Sequence, residues 1–185
     1  MMTELALNVL DVTENSVRAQ ASLIHVTVEA DTERDRLMIL IADDGCGMTE
    51  EQVASVVDPF FTTRTTRKVG LGIPFYKYAA ESTGGSFSIT SKVGIGTEVR
   101  AEFVLSHVDR MPLGDMCGTM HTLITFNTHI DFVYTYRVDD RSFVLDTREF
   151  KEILEGVPLD EPEVSGYIET FLIENTAEVN QGIIL

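Results

Sequence analysis

The chain has 185 residues, 44% of them hydrophobic, and a formal net charge of -16. That length and composition suit a globular core with a smaller appendage, whereas the charge excludes a nucleic-acid footprint, because phosphate backbones call for basic stripes. There is no apolar run long enough to span a membrane, and the N-terminus lacks the basic, apolar and small-residue pattern of a signal peptide, so a cytoplasmic protein without membrane attachment is expected.

Two cysteines, Cys46 and Cys117, are too few for a disulfide framework or a metal site. The charge is uneven. Residues 1–108 hold 9 Lys+Arg against 15 Asp+Glu, and residues 109–185 hold 5 against 15, which predicts a main domain over 1–108 and a small acidic C-terminal domain over 109–185.

Leu5, Leu7, Val9, Leu10, Val12 and Val17 recur at helical spacing, predicting a helix over 3–20 with Asp11 and Asn15 one turn apart on one face. Two β-rich runs, 23–31 and 36–44, flank the polar "TERD" as a hairpin. Thr49 is the expected N-cap of a short helix ending at "DPFF". The polar, basic "TTRTTRKVGLG" reads as a loop before a helix that closes at Gly84 and Gly85, and "SFSITSK" and "TEVRAEFVL" form a second hairpin around "VGIG". Beyond a linker, a helix capped by Asp115, a hairpin turning at Asp139 and Asp140, and helices near 147–155 and 162–178 are expected. The order of elements predicts an α+β fold, a two-layer α/β sandwich whose helices cover one face of a mainly antiparallel sheet.

Three short stretches carry chemistry. "DDGCGM" (43–48) sets acidic groups and two glycines at a strand end, where Gly45 and Gly47 allow close approach to a bound group; alone it equally fits an Asp- and Gly-rich turn. "VGLGI" (69–73) opens a helix beside Arg64, Arg67 and Lys68, an arrangement suited to polyphosphate, or an ordinary hinge. "GIGT" (94–97) by itself is a hairpin turn.

Taken in order, the Asn of the first helix, "DDGCG", "DPFFTTR", "GLGI" and "GIGT" resemble the ATP-binding domain of the GHKL superfamily, the Bergerat fold of gyrase, Hsp90, histidine kinases and MutL, over roughly residues 3–105. The resemblance implies ATP and Mg²⁺ as cofactors. Asn15 would offer its side-chain oxygen to Mg²⁺, a hard cation that keeps several waters. Asp11 would stand where the superfamily's ATPases and the anti-sigma kinases place a Glu general base, shorter here by one C–C bond of roughly 1.5 Å. Asp43 would accept a hydrogen bond from the adenine amino group, with Thr97 in support. Gly45 and Gly47 would let the loop pass the purine, and Gly70, Leu71 and Gly72 would present backbone to the phosphates. Thr62, Thr63, Arg64 and Lys68 would lie on the lid, with Arg64 as the phosphate-side cation.

Departures from the family pattern shape the functional expectation. Pro74 removes one phosphate-side amide. No phosphoacceptor helix or sensor precedes residue 3, and His25, His107, His121 and His129 read as structural, so self-phosphorylation is not expected. The expectation is a stand-alone Mg-ATP-binding ATPase or protein kinase acting in trans on an unidentified regulatory protein. The alternative is a nucleotide-gated interaction module without turnover. In either case the acidic tail would be the docking or dimerisation unit.

Overall fold

A computed structural model describes residues 2–58 and 71–185. Helix α1 (Leu5–Arg18) turns Leu5, Ala6, Val9 and Val12 inward at the spacing seen in the sequence. Its N-cap residue, Glu4, makes no side-chain cap. The amides of Leu5 and Ala6 instead donate to the carbonyls of Pro112 and Leu113, at 2.9 and 2.8 Å, so a distant segment satisfies two of the donors that the helix itself leaves unpaired. Strands β1 (Leu23–Asp31) and β2 (Arg36–Asp43) form the expected hairpin. Helix α2 (Glu50–Val57) starts on a capping box between Thr49 and Gln52. Helix α3 (Gly72–Glu81) leads to the hairpin of β3 (Ser86–Lys92) and β4 (Gly96–Val104).

Helix α4 (Met116–Phe126) is capped by Asp115, which accepts from the Gly118 amide. Strands β5 (Asp131–Val138) and β6 (Arg141–Asp146) turn at Asp139 and Asp140, and α5 (Thr147–Ile153) and α6 (Pro162–Asn180) follow. Among the described residues, no helix is long and apolar enough to cross a membrane.

The strands form one six-stranded sheet in the order β3-β4-β2-β1-β5-β6, antiparallel except for β1 against β5. This corrects the expectation that 109–185 stands apart as a small domain. Its first strand pairs with β1 from Leu23↔Asp131 to Ala30↔Val138, and Phe132, Tyr134, Met120 and Ile168 share one contiguous buried core with Leu5, Ile24 and Ile39. Alternation explains the union. Ile24, Val26, Val28 and Ala30 point to the helices, and the same face of β5 presents Phe132, Tyr134, Tyr136 and Val138.

The other face is dressed with charge. Arg137 and Arg36 both approach Glu29, and Arg36 and Arg100 both approach Glu102, a ladder running across four neighbouring strands. Such pairs contribute little stability individually, but they keep a broad sheet face from pairing with an apolar one.

Burial of three tyrosines gives the fold a pH signature. The hydroxyls of Tyr76 and Tyr134 are buried without a hydrogen-bond partner among the described residues, and burial raises both above the ordinary tyrosine range. Tyr136 is pushed up to about 12, chiefly by burial, against the opposing hydrogen bond to Asn180. Above about pH 10 the unfolded chain releases these protons while the folded chain retains them, so stability is fully present below pH 10 and declines through pH 12. Urea unfolding between pH 9 and 12 should show this decline, and Tyr76→Phe should reduce its slope without lowering stability at pH 7, because an unpaired hydroxyl is removed.

Candidate nucleotide site

Strand β2 ends at Asp43, directly opposite Thr97 of β4. The Asp43 carboxylate is held from two sides: Ser16 Oγ of α1 donates to Oδ2 at 2.6 Å, and the Gly45 amide donates to Oδ1 at 2.9 Å. Ser16 is buried, so it joins helix and strand from beneath. The neighbouring acid does different work. Asp44 accepts from the amides of Ser22 and Leu23 at 2.7 and 2.9 Å and from the Ser22 hydroxyl, fixing the start of β1. Burial pushes its carboxyl upward, but these hydrogen bonds outweigh it and hold the group below the usual range.

The loop after Asp43 is tied down on both flanks. The Cys46 amide donates to the Ala19 carbonyl at 2.9 Å, and the Gly94 amide to the Cys46 carbonyl at 2.8 Å. Ser91 Oγ accepts from the Met48 amide at 2.8 Å, donates to the Gly96 carbonyl at 2.9 Å and lies 2.8 Å from Thr97 Oγ1. Gly47 adopts φ +67°, and a Cβ there would sit 2.0 Å from the Lys92 carbonyl oxygen, so this position admits no side chain.

Asp43, Thr97, Asn15 and Gly47 open on one cavity of about 340 Å³, whose walls include Val12, Met48, Val56, Ile73, Ile89 and Val99. Apolar walls with a few convergent polar groups are the usual form of a small-molecule site. A somewhat larger groove at the opposite end of the sheet carries Asp146, Glu149 and Glu163 as its charged groups.

Asn15 lies at the cavity, and its Oδ1 accepts from Arg18 Nη1 at 3.2 Å, while Arg18 also lies 3.7 Å from Glu14. One lone pair of the Asn15 oxygen is thereby engaged by an exposed guanidinium, a positive neighbour for any cation that takes the other. Among the described residues, no cluster of three or more His, Cys, Asp or Glu side chains is arranged to hold a metal. Asn15 fits a cation that keeps water and takes its remaining oxygens from a ligand, as Mg²⁺ does.

Asp11 takes a different position. It does not line the cavity but packs against the first residue of α3, where a Cβ on Gly72 would stand 2.8 Å from its Oδ2. The next residue, Ile73, is part of the cavity wall, and Leu71 is the half-exposed N-cap of α3. Asp11 thus sits at the N-terminal end of α3, whose first amides have no partner within the helix. Pro74 lies in that first turn. Thr62, Thr63, Arg64, Lys68 and Gly70 lie outside the described residues. Nothing in the sequence marks Ser16 or Ser91, since one serine among many carries no signal of its own.

The profile of the family described as "Histidine kinase-, DNA gyrase B-, and HSP90-like ATPase" matches residues 2–107. The chain is 27% identical over 107 residues to a putative sensor protein of Shewanella frigidimarina (strain NCIMB 400), covering 57% of this chain and 16% of that protein. It is 35% identical over 74 residues to sporulation kinase E of Bacillus subtilis (strain 168), covering 40% and 10%. The match thus spans less than a fifth of either relative. Among solved structures, the Aquifex aeolicus MutL ATPase domain complexed with ADP aligns with a TM-score of 0.53 and 16% identity, over 84% of this chain and 70% of that one. At that identity the likeness concerns the fold, and its coverage of this chain extends beyond the family match.

Proposed function

This chain belongs to the histidine kinase-, DNA gyrase B-, and HSP90-like ATPase family, and we propose on that footing that it binds Mg-ATP and acts as an ATPase or protein kinase on a partner polypeptide. The observation that carries the reading is the Asp43 carboxylate, braced by Ser16 and Gly45 and turned to an apolar cavity of about 340 Å³. Fixed in that way, Asp43 offers an acceptor to the amino group of adenine and would meet the carbonyl of guanine with repulsion.

When bound, Mg-ATP supplies the transferable phosphoryl group. The protein contributes position and charge. Asn15 orients its side-chain oxygen to the cation, Val12, Ile73 and Val99 exclude water from the base, and Asp11 takes the proton of the attacking water or hydroxyl. Action in trans is supported by α3, whose first turn meets Asp11 and whose Phe75 and Tyr78, 50% and 72% exposed, line a groove further along the same helix together with Met2 and Met111.

Asn15→Ala should weaken ATP binding in Mg²⁺ at least tenfold, with little effect in EDTA. Asp11→Ala should leave affinity within about threefold while lowering phosphate release at least about 100-fold. Isothermal titration with ATP in Mg²⁺ and in EDTA checks the first, and release from γ-labelled ATP, counted together with label on protein, checks the second. Saturable binding with no release and no labelled protein, in the presence of candidate substrates, would favour the second reading of a nucleotide-gated interaction module. The short Asp11 side chain and the Arg18 guanidinium on Asn15 are the observations behind that reading.

A further inference from the structure

We propose that the groove between α5 and α6, at the β6 edge of the sheet, docks a basic amphipathic helix of another protein. The groove holds about 440 Å³ and lies at the opposite end of the strand order from β3 and β4. Its floor is built from aromatic rings already locked against one another: Phe150 meets Phe171 at 5.6 Å and 89°, and Tyr167 at 5.9 Å and 56°. Phe171 is in turn set edge-on against the core residue Phe143. A floor ordered in advance loses little entropy when a partner settles on it.

Apolar surface continues out of the groove. Ile153 is 80% exposed, Tyr167 61% and Val144 53%, a contiguous patch of the kind that marks an interaction site.

Charge selects the occupant. Glu149 and Glu163 stand on the groove, both exposed, and neither makes an ion pair among the described residues. Residues 149–169 hold seven acidic side chains against one basic, Lys151, and Lys151 is engaged with Asp131 at 2.6 Å. Arg148, next to the groove, is engaged with Asp146 at 2.7 Å. A second copy of this chain would bring its own charge of -16 to the same patch and be repelled. Nucleic acid is excluded for the same reason. A helix with apolar anchors at i, i+3/i+4 and i+7, flanked by Lys or Arg, meets both the aromatic floor and the acidic rim. The walls are mainly side chains of two helices, with β6 contributing Val144 and Asp146, so recognition runs through side chains rather than a strand ladder.

The test uses the full chain and a fluorescein-labelled 18-residue Leu/Lys peptide with one apolar helical face, read by fluorescence anisotropy at 50 and 300 mM salt. The comparison peptide has the same composition in scrambled order. The facially apolar peptide should bind saturably and at least about tenfold more tightly than the scrambled one. Ile153→Asp should weaken binding about tenfold although it makes the protein more acidic. The double variant Glu149→Lys/Glu163→Lys should weaken it about tenfold at 50 mM salt and flatten the salt dependence. The distant exposed pair Glu33→Lys/Glu81→Lys should change it less than twofold. All of these substitutions fall at exposed positions, and circular dichroism verifies the fold. Equal affinity for the two peptides, a gain with Ile153→Asp, or an equal loss with the distant pair would reduce the binding to general charge attraction and overturn the proposal. ATP affinity, measured in the same variants, should be unchanged, so a failure here is separable from a failure of the nucleotide reading.

Discussion

Asp43→Asn is expected to lower the affinity for Mg-ATP at least about 100-fold, roughly 3 kcal/mol, with the fold intact. The two carboxylate oxygens now each accept a protein hydrogen bond, from Ser16 and from Gly45, and retain further lone pairs for a ligand. A carboxamide replaces one of those oxygens with an NH₂ group. With the NH₂ toward Gly45 two donors collide; with it toward Ser16 the hydroxyl must turn to accept, and the group then offers the cavity a donor on that side and only a neutral amide oxygen on the other. A site built on buried polar complementarity discriminates strongly once a partner is left unpaired. Isothermal titration with ATP and GTP is the measurement: the variant should lose most of the preference for ATP. Affinity within threefold of the parent would remove Asp43 from the recognition of the base.

Gly47→Ala should destabilise the protein by about 2–4 kcal/mol and lower its melting temperature by roughly 6–12 °C. Two effects add at this position. The left-handed backbone costs a side chain about 1–2 kcal/mol, and the new Cβ would lie 2.0 Å from the Lys92 carbonyl oxygen, a backbone atom that cannot rotate away. The loop or the β3–β4 turn must shift, breaking the Gly94 amide bond to the Cys46 carbonyl and disturbing the Met48–Ser91 contact. Gly94→Ala is the matched control. That residue also has positive φ, +77°, but its Cβ would meet nothing within 4 Å among the described residues, so only the backbone cost applies. Calorimetry of the pair separates strain from collision, and a Gly47→Ala loss no greater than that of Gly94→Ala would mean the close approach is not enforced in solution.

What the sequence disclosed follows the range of each signal. The Thr49 cap, the Asp115 cap and the turn at Asp139 and Asp140 are set by neighbours a few residues away, and the helices and strands formed where those signals stand. Asp43 and Thr97 were placed by their motifs, and the register of β2 against β4 brings them face to face. The pairing of β1 with β5 joins residues more than 100 positions apart and leaves no local trace, since an alternating strand reads alike at an edge or in the middle of a sheet. The drop in charge after residue 108 therefore looked like a boundary, although the core continues across it. The division of labour between Asp43 and Asp44 was equally invisible. Pleating sends consecutive side chains to different surroundings, and only the contacts with Ser16 and Ser22 separate their roles.

The carbonyls of Pro112 and Leu113 that receive the first amides of α1 have a further meaning. The helix bearing Asp11 and Asn15 is held at its head by a segment the family match does not include, and the Leu113 amide donates in turn to the Leu185 carbonyl at 3.0 Å. During synthesis, α1 emerges long before either partner, and β1 waits just as long for β5. Closure of these late, long-range contacts is a slow kind of folding event, and until it happens β1 presents a bare edge rich in Val and Ile. A cut after residue 108 would make that waiting state permanent. The fragment that carries the recognisable motifs should therefore aggregate, while the intact chain unfolds in a single cooperative step.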